Sequence, residues 1–219
     1  MSGPVQAVLV AASVAAVVDW LAVARDEPRI ERLAKPAVIV ALISAVLLSD
    51  PSASPARLLL VAALAASLVG DWLLLPPVRF VGGLVAFLVA HLAYLAIFLL
   101  GDLDAGLAFI GAGASVALLV TLGRAILAGA ARGGMGGPVV AYFGAICLMA
   151  IAATATGSPP ATAGAWLFVA SDSMLGWDRF VAPPPVTRGA ASRRRLVVIV
   201  TYHAAQILLT IGILGSFVS

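Results

Sequence analysis

Two aspartates stand inside long apolar runs: Asp71 in Gly70-Asp71-Trp72 and Asp172 in Ser171-Asp172-Ser173. An ionisable side chain within a spanning helix costs about 2.5–3.5 kcal/mol on insertion scales, so each marks a functional candidate. Two carboxyls can divide acid/base work. One delivers a proton, while the other faces a developing cation and takes a proton from water, as at the oxocarbenium-like transition state of glycosidases. Few other polar groups share these runs. They are Lys35 (the only lysine), Ser171, the pair His91 and Tyr94, and the pair Tyr202 and Gln206. The last two are i and i+4, on one helix face.

Plainer roles are open to several of them. Asp71, near a helix end, also suits pairing with Arg79 or reaching towards water. Lys35 also suits an interfacial anchor, and His91 an interhelical hydrogen bond. His203 follows Tyr202 directly and therefore points from another face, away from the candidate cavity. Asp19 and Trp20 read as a membrane-interface mark. Two separated histidines and one cysteine, Cys147, form a weak ligand set, so neither a metal nor another cofactor is expected.

The elements that must position these groups are helices in a bilayer. Hydrophobic residues make up 63% of the chain, charged residues 11%, and mean hydropathy is +1.13. Soluble domains average about 45–50% apolar and about 25% charged. A chain this apolar cannot hide its side chains in one aqueous core. Cutting at Pro, Gly and charge clusters predicts eight spans near 4–24, 33–49, 56–75, 81–100, 105–123, 138–156, 161–178 and 196–217. The first has no basic residue in its leader and is expected to span rather than to be a signal peptide. The expectation is an all-α, polytopic membrane helix bundle forming one transmembrane domain over 1–219, in a bacterial cell membrane. The net charge of +3 does not argue for nucleic acid as a partner. Of the thirteen Lys and Arg residues, all but Arg57 fall in odd-numbered connections. The positive-inside rule then places those connections in the cytoplasm and both termini outside it.

At 1.5 Å per residue, Asp71 lies about 7 Å, Asp172 about 10 Å and His91 about 15 Å from that cytoplasmic side. This shared depth predicts one polar cavity built from the second, third, fourth, seventh and eighth spans. A weak echo, small-Asp followed by Arg-Phe, links Gly70-Asp71…Arg79-Phe80 to Ser171-Asp172…Arg179-Phe180. It would suit a duplicated four-helix unit, or chance.

Five segments carry a family resemblance: Lys35-Pro36, Gly70-Asp71, the run Gly83 to His91-Leu92-Ala93-Tyr94, the run Leu167 to Ser171-Asp172 with Arg179-Phe180, and Tyr202-His203-Ala204-Ala205-Gln206. In this order they resemble the YhhN family of lysoplasmalogenase-like membrane proteins, which includes the eukaryotic TMEM86 proteins. The resemblance implies a hydrolase that cleaves the vinyl-ether bond of lysoplasmalogens to a fatty aldehyde and a glycerophospho-base, with Asp71 and Asp172 as its catalytic aspartates. Its partners would be a lysophospholipid substrate in the bilayer and the surrounding membrane lipids. An enol ether is hydrolysed by protonating its β-carbon and capturing the oxocarbenium ion with water. Asp172, the deeper carboxyl, suits the acid, and Asp71 the cation stabiliser and water base, although the roles can be exchanged. Tyr94, Ser171, Tyr202 and Gln206 would orient water and carboxyls, and Lys35 and His91 would meet the lipid phosphate or tune the acid. Paired carboxylates with histidine also suit a proton-coupled transporter. A lipid-binding protein without turnover is a third reading.

Overall fold

A computed structural model of the chain describes residues 2–49, 54–74 and 79–217. Eight helical rods run along the described residues: α1 (Gly3–Ala24), α2 (Pro28–Ser49), α3 (Pro55–Leu74), α4 (Phe80–Phe98), α5 (Ala105–Arg132), α6 (Gly136–Ala155), α7 (Pro159–Phe180) and α8 (Arg188–Phe217). Their starts follow helix-terminus chemistry. Proline opens α2, α3 and α7 and lies in the first turn of α1, where its missing N–H would have had no partner. The Asp104 side chain caps α5 by accepting from the Leu107 amide at 2.7 Å. Glycine in the left-handed region, Gly157 at φ +69°, follows α6.

Seven rods are long and apolar enough to cross a membrane; α7 falls short by composition. It has 22 residues, like α1 and α2, but carries two prolines, Ser171, Asp172, Ser173, Asp178 and Arg179. It packs between α6 and α8. Two stretches expected to be loops are partly helical. The basic segment from Pro183 turns helical at Arg188, and α5 continues to Arg132, since Ala and Arg favour helix. With 30 residues α8 rises about 45 Å, about ten residues more than a crossing needs. The turns at Asp50–Ala53 and Pro76–Pro77 lie outside the described residues.

Neighbours in sequence pack as hairpins, α1 on α2, α3 on α4, α5 on α6 and α7 on α8. Also, α8 touches α1, α2 and α3, and α4 touches α6. Lipid supplies no hydrophobic drive between helices, so close approach through small residues does. A Cβ on Gly164 would stand 2.7 Å from the Leu209 amide, and one on Gly212 would stand 2.6 Å from that of Ala161. Thus α7 and α8 meet backbone to backbone. Gly70 and Gly83 play the same part between α3 and α4, against Phe87 and Leu74. At the basic end Arg195 pairs with Glu31 and lies 3.8 Å from Asp26, while Arg194 lies 3.3 Å from Asp178. These contacts tie the start of α8 to the α1–α2 turn and to the end of α7.

The rod least embedded in the bundle is α5. Along its most apolar 18 residues only 11% are buried, against 61% for α6. Its middle, Leu119–Gly123, widens into a π-turn, where the Thr121 hydroxyl donates to the Ala117 carbonyl at 2.8 Å.

Candidate active site

Asp71 lies in the last turn of α3, where the Gly70–Phe87 contact draws that helix onto α4. Its Oδ1 lies 2.9 Å from Lys35 Nζ of α2, and its Oδ2 accepts from the Tyr202 hydroxyl of α8 at 2.8 Å. The chain of contacts continues. Gln206 Nε2 donates to the Tyr202 oxygen at 3.3 Å, and the Tyr94 hydroxyl donates to Gln206 Oε1 at 2.6 Å. Asp71 is only 4% exposed, and His91, Tyr94 and Gln206 are fully buried. Both oxygens of this carboxylate are therefore engaged, and a cation is one of the partners.

Asp172 sits in other company. Its Oδ2 accepts from the Tyr142 hydroxyl of α6 and lies 3.2 Å from His91 Nε2 of α4. His91 Nε2 also lies 2.9 Å from the Tyr142 oxygen. Donation from an Nε2–H fits this triangle, and Nδ1 has no hydrogen-bond partner among the described residues. Tyr142 was absent from the sequence-level candidates. The available signal was that the chain has three tyrosines, and all three touch this polar network.

The expected single cavity is two polar clusters. Aromatic rings stand between them: Phe168 packs edge-on against His91 (4.6 Å between centroids) and against Tyr202 (5.5 Å), and Phe87 packs against Phe168 and Tyr202. His91 and Tyr94, three residues apart on α4, serve different clusters. The Ser171 hydroxyl donates to the Val198 carbonyl at 3.0 Å, which fastens α7 to α8. Arg79 stacks on Trp72 at 5.0 Å, and it is Lys35 that pairs with Asp71.

Asp19 departs from expectation most. Read as an interface mark, it is fully buried, because α8 packs on α1 and covers it. It lies 4.0 Å from His203 Nδ1, which accepts from Trp20 Nε1 at 3.2 Å. Thus His203 faces α1.

Two spaces meet at the site. An apolar cavity of about 60 Å³ between α4, α5, α6 and α7 is lined by Leu84, Phe87, Ile126, Val169 and Tyr142, with Asp172 on its wall. A charged cleft of about 650 Å³ at the basic end is lined by Glu31, Arg32, Lys35, Asp178 and Arg195. Leu74 and Leu175 line both. Asp71 borders a side recess of about 200 Å³ that shares Lys35 with the cleft.

Fold and site together define a multi-pass helical membrane protein in which Asp172 faces an apolar cavity and the Lys35–Asp71 pair borders a charged cleft. The YhhN family model matches residues 30–213, and the chain belongs to that family. It is 38% identical over 160 residues to the mouse lysoplasmalogenase TMEM86B, a match covering 71% of this chain and 63% of the relative. To the human lysoplasmalogenase TMEM86B it is 34% identical over 163 residues, covering 72% and 64%. The chain thus spans just under two thirds of the length of these relatives. No solved structure matches it at a significant level.

Proposed function

We propose that this protein is a membrane-embedded hydrolase that cleaves the vinyl-ether bond of lysoplasmalogen-like lysophospholipids, releasing a fatty aldehyde and a glycerophospho-base. The observation that carries the reading is that the apolar cavity and the charged cleft lie side by side, with Leu74 and Leu175 lining both. In a single-chain alkenyl lipid the vinyl ether lies where hydrocarbon gives way to the polar headgroup. With its chain in the cavity and its headgroup in the cleft, that bond falls near these two leucines, with Asp172 on one side and the Lys35–Asp71 pair on the other. The names of the relatives support the same substrate class.

The reaction follows from these groups. Asp172 gives its proton to the β-carbon of the enol ether, leaving an oxocarbenium ion. Tyr142 and His91 both meet Oδ2, which frees Oδ1 for the proton in transit. The negative charge of Asp71, fixed by Lys35 and Tyr202, favours the cation across the aromatic layer. Water adds to the cation and returns a proton to a carboxylate. The hemiacetal then collapses to aldehyde and alcohol.

The test is aldehyde release by purified protein in detergent from an alkenyl lysophospholipid, with an ester lysolipid of equal chain length as control. Release from the alkenyl lipid alone is expected. No release from either lipid would return the protein to the carrier or lipid-binding readings. The proposed orientation puts the basic end in the cytoplasm and both termini outside it. A C-terminal alkaline phosphatase fusion should then be active, and an inactive one would reverse the sides.

A further inference from the structure

We infer that the seam between α5 and α7 is a lateral passage through which a single hydrocarbon chain enters the cavity from the bilayer and the aldehyde product leaves. This rests on the hydrolase reading above. The cavity holding Asp172 is too small for a whole lipid chain, since about 60 Å³ accommodates only a few methylenes. A long chain must continue out of it. The charged cleft is the wrong exit for hydrocarbon, because its lining is rich in Arg, Lys, Asp and Glu.

A third space supplies the other exit. A groove of about 400 Å³ on the outer face of the bundle is lined by Leu122 of α5, by Ser173, Met174, Trp177 and Asp178 of α7, and by Arg194 and Val197 of α8, so that its charges are confined to the Asp178–Arg194 edge. Ser173 lines both this groove and the inner cavity, so the two are separated by little more than one small side chain. The α5 side of the seam alternates in the same way. Leu118 and Ile126 line the cavity, and Leu122 between them lines the groove.

The seam is tightest at one end, although the π-turn also touches α7. A Cβ on Gly129 would fall 2.3 Å from the Phe180 carbonyl oxygen, and one on Gly176 would fall 3.2 Å from Ile126. Beyond those contacts α5 enters its π-turn at Leu119–Gly123, next to the groove. An α5 that is mostly lipid-exposed, with a wide turn at that level, can move aside at small cost. Arg194 and Asp178, 3.3 Å apart, form the polar edge of the groove, where the headgroup of an arriving lysolipid would lie. Product chemistry fits as well: the aldehyde partitions into lipid and the glycerophospho-base into water, so two exits of opposite polarity serve them.

The experiment places Leu122→Cys and Met174→Cys in a Cys147→Ala background. The pair is joined with a short bifunctional thiosulfonate, with a monofunctional reagent as control. Turnover of the linked protein is compared with that of the same variant unlinked, on a long-chain alkenyl lysophospholipid and on a short water-soluble vinyl ether. Linking should lower kcat/KM for the long chain by about tenfold or more, lower that for the short ether less than about twofold, and be reversed by reductant. Long-chain turnover unaffected by the link would overturn the passage, as would equal loss on both substrates. Aldehyde from neither substrate in the unmodified protein would instead remove the hydrolase reading itself. Leu122→Trp, which narrows the groove without a cross-link, should show the same discrimination by chain length, and its absence there would count equally against the passage.

Discussion

Asp71 and Asp172 are the same residue type in opposite surroundings. Asp71 has both oxygens engaged, a cation at 2.9 Å and almost no exposure. Asp172 pairs with no lysine or arginine among the described residues, is held through one oxygen by a hydroxyl and an imidazole, and lies on a cavity wall. A carboxylate locked in an ion pair is suited to be a fixed counter-charge. One held by a hydroxyl and an imidazole, with its second oxygen free, is suited to pass a proton. The proposed assignment follows that division: Asp172, with one oxygen free on the cavity wall, passes the proton, and Asp71 holds the charge.

The largest effect should come from removing the groups themselves. Asp172→Asn keeps size but cannot donate the proton, and should lower single-turnover aldehyde release by about 10²–10⁴-fold. Asp71→Asn should approach the same loss, and the double variant should be little worse, since groups acting as a unit are non-additive. Full turnover by a monodisperse Asp172→Asn protein would break the comparison at its root. Full turnover by Asp71→Asn alone would leave Asp71 a structural residue.

Next in size is the ion pair. Lys35→Met strands a buried carboxylate, and breaking one partner of such a pair costs about 3–5 kcal/mol. The loss should appear in thermal unfolding in detergent. Adding Asp71→Asn to Lys35→Met should recover most of it, because the charge left unpaired is then gone. Unchanged stability of Lys35→Met would mean that the cation does not distinguish the two aspartates.

The smallest effect should come from Tyr142→Phe, which removes one donor from Asp172 Oδ2 and leaves His91 in place. A hydrogen bond to a charged group contributes about 1.5–3 kcal/mol. About a tenfold loss in kcat, with KM nearly constant, is expected if Tyr142 positions the acid. A change in KM alone would make Tyr142 merely part of the cavity lining.

Much of the architecture was legible from the chain alone. Eight apolar stretches separated by proline, glycine and arginine became eight rods, because spanning length and the need to satisfy every backbone group in lipid leave helices as the solution. The same reasoning marked out Lys35, Asp71, His91, Tyr94, Asp172, Tyr202 and Gln206, because polar groups in apolar runs stand out by cost. Periodicity, however, says which residues share a face of one helix and not which faces meet. Only the packing decided that Phe87 and Phe168 stand between two clusters, that α8 buries Asp19 and His203, and that Lys35 turns to Asp71. Tyr142 went unread because α6 is apolar nearly all round, so a lone hydroxyl there had no visible partner. Its partners, Asp172 and His91, arrive from α7 and α4, and helix-to-helix contact of that kind exists only in the folded bundle.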